Sequence, residues 1–384
     1  MVYRRILAAL ILTTLTDSLA EEFLQPLLVL RLEHEGVSTF LIGLVSSAGD
    51  LGVLLAAPLV PTLARSIGAV SYLRWSLLVV GLGILLFPVF PHVWAWIALD
   101  FGLGAITCGY FVLSDSLINA AVTDDYRGRV LAAYMVAESL GAILGPSLLS
   151  AVGIEGFAPF AVATGIMGVG IVPWFLLASI AVPDLGDEHP APLATLARGA
   201  PLVLIVALAG AFMDDVPKSL LPVFSIERGL SETTAVLILA VLAAGTVLWQ
   251  LPAGWAADRF DRRSYLVGLG LATAACSVAL LFFITSPSLR WPTVFVLGGL
   301  LNAFDLVALA LLGERTRLAD LASMSAAVTM AGSVAGFLGP PFTGAVMDLA
   351  GPDALPIVTA LVAAGVAGAA LWSRLRRPPG RGSR

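Results

Sequence analysis

Carboxylates that interrupt long apolar stretches are the residues with the clearest chemistry in this sequence. Asp17 and Glu21 are four residues apart in the first apolar stretch, and Asp50 lies in the second. Residues four apart share one face of a helix, and two carboxylates close together in a low-dielectric environment do not both ionise readily. We therefore expect one of these acids to hold a proton near neutral pH and to serve proton or substrate binding. A buried acid that is satisfied by a neighbouring hydroxyl or backbone group is the alternative.

Further ionisable residues occur inside other apolar stretches. Asp214 and Lys218 are four residues apart with the acid first, the order that favours an ion pair on a helix. Such a pair is either structural or substrate-binding, and Lys218 could then be the counter-charge of an anionic substrate. Asp100 is expected near the outer end of its stretch, where water reaches it. The candidate substrate- or proton-binding residues are Asp17, Glu21, Asp50, Asp115, Glu138, Asp214, Asp215, Lys218 and Asp305.

The composition indicates the environment of these residues. Of the 384 residues, 59% are hydrophobic and only 12% are charged, whereas a soluble domain carries about 25% charged residues. We therefore expect an integral membrane protein. Cys108 and Cys276 fall in separate apolar stretches, which argues against a disulfide framework, and no Gly-x-x-x-x-Gly-Lys phosphate-binding loop is present. We expect no catalytic residues, no metal, no cofactor and no nucleic-acid partner, and hence a protein that is not an enzyme.

Twelve apolar segments are each long enough to span a bilayer, which takes about 20 residues. Their predicted ranges are 6–30, 38–63, 73–90, 93–118, 130–152, 157–181, 200–225, 233–257, 264–286, 291–312, 322–348 and 354–373. A polar stretch between the sixth and seventh segments, 182–199, is expected to be a flexible cytoplasmic linker. It separates an N-terminal six-helix bundle, 1–181, from a C-terminal six-helix bundle with a cytoplasmic tail, 200–384.

The arginines predict the orientation of the segments. With the amino terminus in the cytoplasm, nearly all arginines fall on the cytoplasmic side, and only Arg31, Arg228 and Arg290 fall outside. This positive-inside bias places both termini in the cytoplasm of a bacterial inner membrane. The start of the chain looks like a signal peptide, but its apolar run continues to Leu30 and is long enough to span. We therefore expect it to remain as a membrane helix.

The two halves of the chain repeat one another. The matching positions are Gln25-Pro26 with Leu221-Pro222, and Gly145-Pro146 with Gly339-Pro340. A six-plus-six repeat is typical of secondary transporters, which hold their substrate between the halves near the middle of the membrane.

A charged joint between the eighth and ninth segments carries the most specific motif. It consists of Gly254, Asp258, Arg259, Arg262 and Arg263. This spacing resembles the G-x-x-x-D-R-x-G-x-R signature of the major facilitator superfamily, although Asp261 stands where a glycine is usual. The resemblance implies an all-α integral membrane fold of twelve transmembrane helices in two pseudo-symmetric six-helix bundles.

The same resemblance implies a cytoplasmic gate. In the superfamily this loop packs on the cytoplasmic end of the fifth helix, which would bring Asp258 near Arg127 and Arg129. A sister copy of the motif lies between the second and third segments. That copy is degenerate here, because Pro61 replaces its glycine and Arg65 replaces its aspartate.

The fifth segment resembles another motif of the superfamily. Gly141, Gly145 and Pro146 fit the G-x-x-x-G-P core found in proton-coupled exporters, but glycines at this spacing also let two helices pack closely. Helix packing and an antiporter signature are both open, here and for Gly339 and Pro340. Exporters often carry an arginine where this chain has Asp100. Residues 111–135 resemble a small branch of largely uncharacterised bacterial twelve-helix transporters.

These observations predict a secondary active transporter that moves a small molecule across the inner membrane by alternating access, with proton-coupled efflux as the expected mode. The alternatives are an uptake symporter or uniporter for a polar metabolite, and a lipid or lysolipid flippase. The expected partners are a small-molecule substrate, protons and the lipid bilayer, and we expect the chain to act as a monomer.

Overall fold

The computed structural model describes residues 2–121, 124–176, 193–315 and 321–375, and the chain is almost entirely helical within these ranges. The helices of the first half are α1 (Val2–His34), α2 (Thr39–Ala56), α3 (Val60–Ile67), α4 (Ala69–Ile84), α5 (Val93–Ala121), α6 (Asp124–Val152) and α7 (Ala158–Leu176). Those that follow are α8 (Leu193–Gly199), α9 (Pro201–Glu227), α10 (Glu232–Arg259), α11 (Arg262–Phe283), α12 (Arg290–Arg315), α13 (Leu321–Ala350) and α14 (Ala354–Leu375).

A 3-10 turn at Ala57–Leu59 joins α2 to α3, so that the two form one apolar span, Thr39–Ile67. With this span counted once, the described ranges hold twelve long helical segments and the short helix α8. Eight helices in these ranges are long and apolar enough to cross a membrane. The prediction of an all-α membrane fold is confirmed. Within the predicted linker, residues 193–199 form the short helix α8.

The first long helix of each half, α1 or α9, ends in the same way. α1 is followed by Gly36, whose φ is 69°, and α9 by Gly229, whose φ is 82°. A side chain with a Cβ is strained at these angles, so glycine lets the chain leave the helix. Two residues later Ser38 and Ser231 each accept the backbone N–H three residues further on, at 3.4 and 3.3 Å. These serines satisfy the free N–H groups at the start of the next helix.

The chain divides into two compact units. The first comprises Met1–Asp187 with Ser231–Ala240, and the second comprises Glu188–Leu230 with Val241–Arg384. In the first unit α1 packs on α6 and α7, while α2 packs on α5. In the second unit α9 packs on α12 and α13, while α11 packs on α14. The helices that carry the candidate acids thus pack against other helices of their own unit.

Close backbone contact between α2 and α5 recurs between α10 and α12. A Cβ added to Gly52 would lie 2.1 Å from the carbonyl oxygen of Phe101, and one added to Gly245 would lie 2.0 Å from that of Phe295. Two further contacts of the same kind join Gly104 to Gly49 and Gly298 to Leu242. Small residues at such positions let two helix backbones approach within a membrane. The sequence repeat is thus also a repeat of helix packing.

Candidate functional site

Asp17 on α1 has 7% of its surface exposed, and it is the only buried residue among the predicted substrate- or proton-binding candidates whose side chains the structure describes. Glu138 on α6 lies close enough for the two carboxylates to interact electrostatically. Tyr110 from α5 also interacts with Asp17. The Tyr110 hydroxyl is buried and shares a hydrogen bond of 2.7 Å with Thr14, one turn before Asp17. Three helices therefore converge on Asp17.

Glycines on α6 bring Glu138 to Asp17. A Cβ on Gly141 would lie 2.5 Å from the hydroxyl oxygen of Ser18, and one on Gly145 would lie 2.8 Å from the backbone of Glu22. The Ser18 hydroxyl donates a hydrogen bond of 2.8 Å to the backbone carbonyl of Glu138. This hydrogen bond holds the α6 backbone at Glu138 against Ser18, the residue that follows Asp17 on α1.

The counterparts of these glycines in the second unit also lie at a helix contact. A Cβ on Gly339 of α13 would lie 3.0 Å from the side chains of Phe212 and Val216 on α9. The following residue, Pro340, is buried inside α13. Both glycine–proline sequences therefore occur on a helix that packs against the first long helix of its unit.

Glu21 lies one turn beyond Asp17 on α1, but its side chain is exposed, whereas Asp17 is buried. The buried neighbourhood of Asp17 is completed by α5 and α6, which sequence spacing along α1 does not reveal. Asp50 on α2 is half-buried and interacts electrostatically with Asp100 on α5.

Asp100 is a functional candidate that sequence reasoning missed. The expectation that water reaches it is wrong, because only 4% of its surface is exposed. Its two carboxylate oxygens accept hydrogen bonds from the backbone N–H of Gly49 at 2.7 Å and from the side-chain amide of Gln25 at 3.1 Å. The signal that could have revealed it is the set of glycines on α2 and α5, which brings the α2 backbone against Asp100.

The second unit contains a different charged cluster. Lys218 and Asp214 on α9 form the predicted ion pair, with a distance of 2.9 Å between Nζ and Oδ2. Asp305 on α12 interacts electrostatically with both residues. Gly210, one turn before Asp214, makes room for Asp305, since a Cβ there would lie 2.1 Å from its Oδ1. The structure thus brings three predicted candidates together. Asp215 is half-buried on the same helix.

The loop between α10 and α11 is tied to helices of its own unit. Arg263 is buried and donates a hydrogen bond of 2.7 Å to the carbonyl of Ser373 on α14. Arg262 donates to the carbonyl of Ala310 on α12. The exposed side chain of Arg259 lies over the Trp255 ring, 5.5 Å from its centroid.

Asp261, the departure from the expected glycine, has a structural role. It precedes α11, and its Oδ2 accepts hydrogen bonds from the backbone N–H of Ser264 at 3.0 Å and from the Ser264 hydroxyl at 2.7 Å. These bonds and the nearby Arg374 and Arg263 hold the pKa of Asp261 below its ordinary value of 3.8. An aspartate is a good helix N-cap, which accounts for this residue where a glycine is usual.

The structure does not describe the side chains of three predicted residues. These are Asp115, Arg127 and Asp258, whose helices are described but whose side chains are not. Arg129 is exposed near the start of α6, and Gly254 has open space beside it on α10. Within the described ranges, no group of three or more His, Cys, Asp or Glu side chains is placed to hold a metal ion.

Repeated apolar helices with ionisable groups inside them are features of a polytopic membrane transporter. The family model of the Major Facilitator Superfamily matches residues 10–246 and 203–384, and the chain belongs to this superfamily. A relative from Escherichia coli O7:K1, the uncharacterized MFS-type transporter YcaD, is 29% identical over 368 residues, which cover 94% of each chain. The predicted resemblance to the superfamily is confirmed.

Solved structures share the fold at low sequence identity. The nucleoside transporter NupG is 13% identical with a TM-score of 0.81, over 97% of this chain and 99% of that one. A D-xylose-proton symporter is 14% identical with a TM-score of 0.72, over 94% of this chain and 97% of that one.

Proposed function

We propose that the protein is a proton-coupled exporter of a small molecule, acting as a monomer in the bacterial inner membrane with both termini in the cytoplasm. The observation that carries this proposal is the burial of Asp17 beside Glu138. The burial of Asp17 and the nearby carboxylate of Glu138, whose own side chain is exposed, both favour a state in which Asp17 holds a proton. A transporter needs such a group, because its proton must be released on one side and taken up on the other.

Outward transport is supported by Gly141, Gly145 and Pro146 on α6, which fit the core of the exporter motif. A second candidate function is uptake with protons. It is favoured by the structural similarity to a D-xylose-proton symporter and to a fucose:proton symporter, the latter with a TM-score of 0.60. Both modes use the same acid and differ in the direction in which the proton moves relative to the substrate.

Proteoliposomes that contain the pH dye pyranine distinguish the two modes. Nucleosides, pentoses, short peptides and the cationic dye ethidium are first screened for those that raise the thermal stability of the purified protein, because a ligand of the folded state stabilises it. A compound that raises the thermal stability is then added outside the vesicles. Exchange for protons makes the lumen more alkaline as the compound enters, whereas entry together with protons makes it more acidic.

The coupling acid is tested with Asp17→Asn. We expect this variant to abolish the pH change and pH-driven accumulation, while exchange of labelled for unlabelled compound continues. Asp348→Asn, which removes an exposed acid near the end of α13, is the control and should behave like the wild type. Unchanged accumulation and pH dependence in Asp17→Asn would contradict the assignment.

A further inference from the structure

A cleft of about 500 Å³ lies wholly within the second unit, between α10 and α11 and against Leu300 of α12. Its volume is within the range of roughly 300–1,000 Å³ that is usual for small-molecule pockets. Aromatic residues, alanine, glycine and leucine make up most of the lining. Examples are Trp249 and Phe260 on α10, and Tyr265 and Gly268 on α11. None of the candidate acids lines it, so it is separate from the site proposed for proton coupling.

The cleft has the depth of one lipid leaflet. From Phe260 to Trp249 along α10, and from Ser264 to Ala272 along α11, its walls extend roughly 12–17 Å at the rise of an α-helix. Half of a hydrocarbon core of about 30 Å is about 15 Å. Both walls belong to helices apolar enough to cross a membrane. Because the cleft has few polar groups, water would find few hydrogen-bond partners in it, and an acyl chain is the better occupant.

Positive charge lies at the end of the cleft where α10 meets α11. Arg259 is exposed there and Arg262 is half-buried, and the two are the last residue of α10 and the first residue of α11. The neighbouring acid Asp261 already accepts two hydrogen bonds from Ser264 as the N-cap of α11. Trp255, Phe260 and Tyr265 surround this end, and aromatic residues of this kind are common at the membrane–water interface.

We propose that this cleft binds an acyl chain of an anionic phospholipid whose phosphate lies at Arg259 and Arg262. The apolar walls match the chain, and the arginines match the phosphate, with which a guanidinium forms strong charge-assisted hydrogen bonds. Basic pockets between transmembrane helices on the cytoplasmic side are suited to anionic headgroups. The lipid is a bound component of the second unit, and its binding does not depend on the direction of transport or on proton coupling.

Gly268→Phe is the variant that tests the cleft. A Cβ at Gly268 would meet no atom within 4 Å, so a larger side chain can enter the cleft without displacing the backbone. Gly365→Phe is the matched control, because Gly365 on α14 is also exposed and a Cβ added there would meet no atom within 4 Å, but Gly365 does not line the cleft. Lipid binding to delipidated full-length protein is measured by native mass spectrometry, with phosphatidylglycerol and phosphatidylcholine of identical chains.

The wild type should bind its first phosphatidylglycerol more tightly than its first phosphatidylcholine. Gly268→Phe should weaken the first phosphatidylglycerol site at least tenfold, and Gly365→Phe should not. Arg259→Gln should weaken phosphatidylglycerol binding about fivefold and leave phosphatidylcholine binding unchanged, because one cation near an anionic headgroup contributes about that factor. Arg65→Gln, which removes an exposed cation from the first unit, should have no such effect.

Three outcomes would overturn the proposal. They are wild-type phosphatidylglycerol affinity in Gly268→Phe, an equal loss of both lipids in Arg259→Gln, and displacement of the lipid by a transported compound, which would make the cleft a substrate site. If Gly268→Phe does not fold, Ala272→Phe fills the same cleft from the next turn of α11, and its retention of full phosphatidylglycerol affinity would be equally decisive.

Discussion

Replacing Gly52 by alanine should reveal how closely α2 and α5 approach. The new Cβ would lie 2.1 Å from the carbonyl oxygen of Phe101 and 2.7 Å from the backbone nitrogen of Ala105. Neither atom belongs to a flexible side chain, so the helices themselves must separate. Overpacking of a close-packed site typically costs about 1–3 kcal/mol.

Gly102→Ala on α5 is the matched control, because a Cβ there would meet nothing within 4 Å. Replacing glycine by alanine inside a helix is intrinsically favourable by roughly 0.5–1 kcal/mol, and this gain is common to both variants. The free energy of unfolding of Gly52→Ala should therefore lie about 1–3 kcal/mol below that of Gly102→Ala. The same difference is expected for Gly245→Ala against Gly313→Ala in the second unit, because an added Cβ would meet a carbonyl oxygen at Gly245 and no atom within 4 Å at Gly313.

The assay is unfolding by sodium dodecyl sulfate in mixed micelles, followed by tryptophan fluorescence. Each variant is compared with the wild type and with its control at the same lipid content. Equal stability of Gly52→Ala and Gly102→Ala would refute the close backbone contact. A loss in the first unit but not in the second would refute the view that the internal repeat is a repeat of packing.

Two further predictions concern the charged sites. Gly210→Ala should leave stability within about 1 kcal/mol of the wild type, because its Cβ meets the movable carboxylate of Asp305 at 2.1 Å. It should nevertheless slow transport in the pyranine assay, and a wild-type rate would show that the position of Asp305 is unimportant. Asp261→Ala should lower the free energy of unfolding by about 0.5–2 kcal/mol through loss of the helix cap at Ser264. Because the pKa of Asp261 is lowered by folding, its contribution is complete above the ordinary pKa of 3.8 and disappears as the pH falls through the folded value. The difference between Asp261→Ala and the wild type should therefore vanish in acid, and a difference that persisted there would contradict the capping role.

The helices and their repeat could be predicted because both depend on local sequence. An apolar run of sufficient length must form a helix in a bilayer, since every backbone polar group has to be bonded within the segment. Gly36 and Ser38, with their equivalents Gly229 and Ser231, also specify a helix end and a new helix start over a few residues.

The partners of the acids could not be predicted in the same way. Spacing along α1 puts Glu21 next to Asp17, but the buried surroundings of Asp17 come from α5 and α6. Those contacts depend on which residues of two distant segments meet, and a single sequence does not specify this. The depth of Asp100 along α5 was likewise a poor guide to its hydration, because Gly49 and Gln25 supply the hydrogen bonds that water would otherwise make.

The internal repeat shows at which equivalent position the two units differ in charge. The register that matches Gln25-Pro26 with Leu221-Pro222 puts Glu22 of α1 at the same position as Lys218 of α9. In the second unit the lysine pairs with Asp214 at 2.9 Å and interacts with Asp305, so its acids have a cation to balance them. In the first unit the same position is acidic, and Asp17 has a carboxylate, Glu138, as its neighbour. A buried acid beside another carboxylate is better suited to hold a proton, whereas an ion pair is better suited to hold a fixed charge. On the basis of this difference between equivalent positions, we propose that proton exchange occurs in the first unit and that Lys218 gives the second unit a fixed charge instead.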